Sequence, residues 1–125
     1  MENAVKKTVL VVEDEPAILM LLVDYLTGEG YQVLQADSAD TAFLILAGRP
    51  RLDLLISDYR LPGGVSGVKI AEPALKLRPD LQVIFISGYA TEIFETGSDV
   101  LDKATVLGKP FSMETLKRTM ESLLG

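Results

Sequence analysis

The feature that most constrains this chain is a set of solid apolar runs, each ending abruptly in polar residues and most followed by a stretch with helical spacing. Thr8–Val12 is apolar and β-branched and breaks at Glu13-Asp14-Glu15-Pro16, as a strand buried on both faces reads. Pro16 suits a first helical turn. Ile18, Leu21, Leu22, Tyr25 and Leu26 then recur at helical spacing until Gly28 and Gly30, so this set is expected to face the core. The unit repeats: Tyr31–Ala36 predicts a strand, Ser38 an N-cap, and the helix through Leu46 closes at Gly48-Arg49-Pro50. Leu52–Ser57 predicts a third strand ending at Asp58. A loop with Pro62, Gly63, Gly64 and Gly67 leads to a helix ending near Leu77, in which Pro73 predicts a kink or a late start. Leu81–Ile86 and Ala104–Leu107 predict two more strands, with the weakest pattern at 91–103 between them. Ser112 is placed to cap a last helix carrying Met113, Leu116, Met120, Leu123 and Leu124.

Buried strands alternating with helices predict a parallel sheet covered on both faces. Right-handed crossovers leave few topologies, and the expected fold is α/β, a flavodoxin-like (βα)5 three-layer sandwich with strand order 2-1-3-4-5. The 125 residues amount to one domain, expected over 1–125 with its core at about 8–124 and no output domain.

Composition narrows the chemistry. Eighteen acidic against twelve basic side chains leave a charge of −6, which argues against binding nucleic acid through a basic surface. There is neither cysteine nor histidine, so thiolate metal sites, cysteine nucleophiles and imidazole bases are excluded, and any reaction must run on carboxylates, lysines and hydroxyls. The longest apolar stretch, Ala17–Val23, is far short of the roughly 20 residues that span a bilayer, and no export segment opens the chain. The default expectation is a cytoplasmic protein with no membrane partner.

Sites in open parallel sheets form beyond the carboxyl ends of the strands, where strand order reverses. Glu13 and Asp14 end the first strand, Asp58 the third and Ser87 the fourth, while Lys109 follows the fifth, just before Pro110. All should share one rim. Taken singly, each has an ordinary explanation: acids near a helix N-terminus, an aspartate in a turn, a surface lysine. Together, three crowded carboxylates call for a cation, and an all-oxygen donor set suits Mg²⁺ rather than zinc. One Mg²⁺ and one lysine neutralise three carboxylates, a balance suited to placing a phosphoryl group on Asp58.

Four fragments carry a family resemblance: Val-Val-Glu13-Asp14-Glu-Pro, Leu-Ile-Ser-Asp58-Tyr-Arg-Leu-Pro62-Gly, Ile-Ser87-Gly-Tyr-Ala and Gly-Lys109-Pro110-Phe111. In this order at the strand ends, they make the chain resemble the receiver domain of two-component response regulators, both stand-alone receivers and those of hybrid histidine kinases. The resemblance implies a phosphoacceptor at Asp58, fed from a phosphohistidine on a histidine kinase or histidine phosphotransfer protein. It implies Mg²⁺ held by Asp14 and Asp58 directly, by Glu13 through water and by the carbonyl of Arg60, with Ser87 and Lys109 gripping the phosphoryl group. It also implies a cis Lys109-Pro110 peptide and a signalling domain rather than an enzyme, acting as a monomer or weak homodimer on a downstream protein target. A degenerate receiver used as a scaffold and an aspartate-nucleophile phosphohydrolase are the alternatives, although Arg60 stands where such hydrolases keep a second acid.

Three departures from the family pattern stand out. Val106 holds the place of the usual aromatic switch residue, the loop after Asp58 is one residue longer than the commonest spacing, and the bulky Arg60 and Tyr89 occupy positions that tend to set phosphoryl lifetime. On the first helix, Leu19, Met20 and Val23 are expected to form an outward apolar stripe for docking the phosphodonor.

Overall fold

The computed structural model describes residues 6–88, 100 and 103–125. Five parallel strands, β1 (Thr8–Val12), β2 (Gln32–Ala36), β3 (Leu54–Asp58), β4 (Gln82–Ser87) and β5 (Ala104–Gly108), form one sheet in the order β2-β1-β3-β4-β5. This is the expected flavodoxin-like order. The described helices are α1 (Pro16–Gly28), α2 (Ala39–Ala47), α3 (Gly67–Leu77) and α4 (Met113–Leu124). Tyr89 and nearly all of the weakly patterned 91–103 segment lie outside the described residues.

Because side chains alternate along a strand, β1 and β3 each feed two separate cores. Leu10, Val12, Leu55, Val83 and Phe85 pack with α2 and α3, while Val9, Val11, Leu54, Ile56, Ile84 and Ile86 pack with α1 and α4. The sheet is thus the middle of three layers, and its central strands are buried on both sides. Serine caps fix three of the described helices: the Thr41 amide donates to Ser38 Oγ at 3.2 Å, the Val68 amide to Ser66 Oγ at 3.1 Å and the Thr115 amide to Ser112 Oγ at 3.0 Å. Each cap contributes about 1 kcal/mol.

Two expectations need correction. On α1 the inward residues are Leu19, Leu22 and Leu26, with Ile18, Val23 and Tyr25 partly buried against them, whereas Leu21 points outward at 54% exposure. Leu19 is therefore a core residue rather than part of an outward stripe, and the exposed apolar pair is Met20 and Leu21. The helix is apolar on almost every side, so its spacing did not identify the phase. Pro73, in turn, does not delay α3, which runs unbroken from Gly67. Pro73 and Lys69 are both exposed, so the carbonyl that loses its helical donor can bond to water, and Ile70, Ala71, Ala74 and Leu75 hold the helix on the sheet.

Candidate functional site

The topological switch point lies between β1 and β3, because β1 is flanked by β2 on one side and β3 on the other. Pairing of β1 with β3 ends at Val12↔Ser57. The residues that follow, Glu13-Asp14 and Asp58, emerge side by side at the carboxyl rim. A carboxylate oxygen from each of Glu13, Asp14 and Asp58 lies within 4.8 Å of the others. Glu13 and Asp58 are 1% and 4% exposed, whereas Asp14 faces solvent.

Lys109 supplies the opposing charge. Its Nζ is 3.0 Å from Asp58 Oδ1 and 4.0 Å from Glu13 Oε1. The lysine is placed by β5: its amide donates to the Ser87 carbonyl at 2.8 Å, continuing the β4–β5 pairing that sets Ser87 beside Gly108. The Lys109–Pro110 peptide is cis, as the resemblance implied. Ser87 is buried at the end of β4, one residue beyond the Asp58↔Ile86 pairing. Glu13 turns Oε2 toward the start of α1, where it accepts from the Glu15 amide at 3.0 Å.

The electrostatics show a site under strain. Burial is the main reason that the Glu13 carboxyl is pushed up to about 8. Its contact with Asp58 and that residue's charge add to the shift, and the Glu15 amide and Lys109 offset part of it. For Lys109 burial acts to lower the value, but the bond to Asp58 and the charges of Asp58, Glu13 and Asp14 prevail and raise it. Apart from the Lys109 ammonium, 3.0 Å from Asp58 Oδ1 and 4.0 Å from Glu13 Oε1, these two buried oxygens have no hydrogen-bond partner among the described residues. Under-bonded oxygens in an all-oxygen cluster are what a hard divalent ion completes, so these residues fit Mg²⁺.

The expected residues Glu13, Asp14, Asp58, Ser87 and Lys109 thus come together at one rim. Arg60 is exposed and pairs with Ser66 in a short antiparallel ribbon, Arg60–Leu61 against Val65–Ser66, that rises beside Asp58. The ribbon closes through Gly63 and Gly64 at φ 79 and 76, a left-handed pair that only glycine takes without strain. Val106 is half-buried in β5, in register with Phe85. Sequence reasoning overlooked Ser57 and Gly67, which lie directly behind Asp58. The available signal was a glycine at the start of a helix, where its low propensity needs another reason.

The response regulator receiver domain model matches residues 9–121. The chain belongs to that family. Response regulator receiver protein CpdR of Brucella abortus (strain 2308) is 33% identical over 118 residues, covering 94% of this chain and 97% of CpdR. Sensor kinase CckA of the same organism is 37% identical over 120 residues, which span 94% of this chain but 12% of the kinase. The crystal structure of response regulator protein TrrA from Thermotoga maritima in complex with Mg²⁺-BeF is similar at a TM-score of 0.77 and 31% identity, covering 94% of this chain and 99% of that one. The receiver assignment accounts for the acid rim, the lysine and the sheet order together. Among the described residues no helix is long and apolar enough to cross a membrane.

Proposed function

We propose that this receiver accepts a phosphoryl group on Asp58 from a phosphohistidine of a histidine kinase or histidine phosphotransfer protein. The observation that carries the reading is the Lys109 ammonium 3.0 Å from a buried Asp58 whose Oδ1 otherwise lacks a donor, with Glu13 and Asp14 crowded alongside. An Asp58 oxygen attacks phosphorus, forming a P–O bond as the P–N bond breaks and the donor imidazole departs with its electron pair. Lys109 faces the oxygens on which charge accumulates, and the Ser87 hydroxyl donates to one of them. Asp14 and Asp58 would hold Mg²⁺ directly, Glu13 through water, and the Arg60 carbonyl as a further ligand; the ion, when bound, supplies positive charge to the phosphoryl oxygens. The similar TrrA binds Mg²⁺-BeF, which supports the same chemistry here.

The partner surface we assign to the phosphodonor is the outer side of α1. Met20 is 65% and Leu21 54% exposed, and a groove of about 370 Å³ runs from Asp14 along Leu19, Met20 and Val23 to Asp37. Phosphorylation then shifts the population of rim conformations that a downstream protein reads, in the cytoplasm and without an enzymatic product. Intact mass after incubation with Mg²⁺ and a small phosphodonor tests the reading. Wild type should gain one phosphoryl group and Asp58→Asn none; equal labelling of both would overturn it.

A further inference from the structure

Asp58 sits where β3 has just lost its β1 neighbour, since that pairing stops at Ser57. The main chain from Asp58 to Tyr59 is nevertheless held by three hydrogen bonds. The Ser57 hydroxyl, fully buried, donates to the Asp58 carbonyl at 2.9 Å. The Tyr59 amide donates to the Ile86 carbonyl at 2.9 Å, and the Gly67 amide to the Tyr59 carbonyl at 2.7 Å. Gly67 lies so close that a Cβ there would stand 2.5 Å from the Asp58 carbonyl oxygen, 3.0 Å from Ser57 Oγ and 3.2 Å from the Phe85 ring. The first of these neighbours is backbone, so it cannot swing aside as a flexible side chain would. α3 is set down on this spot by Ser66, whose Oγ accepts from the Val68 amide at 3.1 Å.

We propose that Ser57 and Gly67 are positioning residues for phosphoryl transfer, clamping the Asp58 peptide so that its carboxylate is held against Lys109 and the acid pair. Neither residue touches the reacting atoms. Ser57 ties down the carbonyl that no β1 donor reaches. Gly67, by lacking a side chain, lets the start of α3 press on the same carbonyl while its amide fixes the next peptide, the one leading to Arg60. A carboxylate free to drift by an ångström would lose the alignment that in-line attack requires.

The inference rests on Asp58 being the acceptor, and the experiment separates the two claims. The 125-residue wild type, Ser57→Ala, Ser57→Thr and Gly67→Ala are incubated with Mg²⁺ and phosphoramidate. The saturating rate, the half-saturating donor concentration and the melting temperature are measured for each. Ser57→Ala should slow the saturating rate about tenfold with half-saturation changed less than about twofold, and Gly67→Ala should slow it about a hundredfold. Ser57→Thr, which keeps the hydroxyl, should recover most of the loss. A purely structural role would lower the melting temperature of Ser57→Ala and leave its rate per folded molecule unchanged. That result, or a Ser57→Thr variant as slow as Ser57→Ala, overturns the proposal while labelling at Asp58 still stands. Should Gly67→Ala not fold, the Ser57 pair decides. Absence of labelling at Asp58 in wild type removes both claims together.

Discussion

The two ends of the sheet treat their acids in opposite ways. At the amino end, Asp53 is satisfied: its Oδ2 accepts from the Thr8 amide at 2.8 Å and its Oδ1 lies 3.5 Å from Arg51. Nearby, Arg78 directs Nε and Nη2 to the Pro50 carbonyl at 3.1 and 2.7 Å, leaving only Nη1 unpartnered. At the carboxyl end, Glu13 and Asp58 are buried more deeply than Asp53, and among the described residues Glu13 Oε1 and Asp58 Oδ1 face no partner but the Lys109 ammonium. The acid at the amino end has both oxygens bonded, whereas the buried acids at the carboxyl end each keep an under-bonded oxygen that a cation would satisfy.

The largest expected effect is at the strained end. Lys109→Ala removes the ammonium 3.0 Å from Asp58 Oδ1 and should slow phosphoryl uptake by about 10²–10³-fold in intact-mass time courses, the usual cost of losing a charge-stabilising donor. The next is a pH dependence. The Glu13 carboxyl is raised from 4.5 to about 8, so the folded metal-free protein binds a proton that the unfolded chain releases. Its contribution to stability is fully present below pH 4.5 and is lost as pH rises through about 8. Urea unfolding of the metal-free protein should therefore show stability falling by a few kcal/mol across that window, and Glu13→Gln should flatten the curve.

At the satisfied end, effects should be smaller and silent in function. Asp53→Ala leaves the partly buried Thr8 amide without its acceptor and should cost about 1–3 kcal/mol in urea unfolding, with the labelling rate unchanged. Arg51→Ala removes an exposed pair, worth at most about 1 kcal/mol. If Asp53→Ala abolished labelling, the contrast between the two ends would be lost.

Much of this was legible in the sequence because strand ends are sharp boundaries. β1 changes from Val12 to Glu13 in one step, and the parallel topology turns such endings into neighbours. The phase of α1 was not legible, since Ile18 through Val23 is apolar without a break and helical spacing fits more than one face. The role of Pro73 depended on whether its face met solvent, which is a tertiary fact. Ser57 and Gly67 were hidden for the same reason: ten residues apart in sequence, they meet only where the start of α3 lies on the end of β3.

The central claim is that the crowded carboxyls of Glu13, Asp14 and Asp58 form a site for Mg²⁺, and calorimetric titration with Mg²⁺ at pH 7 in buffers of different ionisation enthalpy tests it most directly. With the Glu13 carboxyl raised to about 8, wild type should release close to one proton per bound Mg²⁺, and Glu13→Gln close to none. Magnesium binding with no proton release by wild type, or no binding at all, would contradict the account.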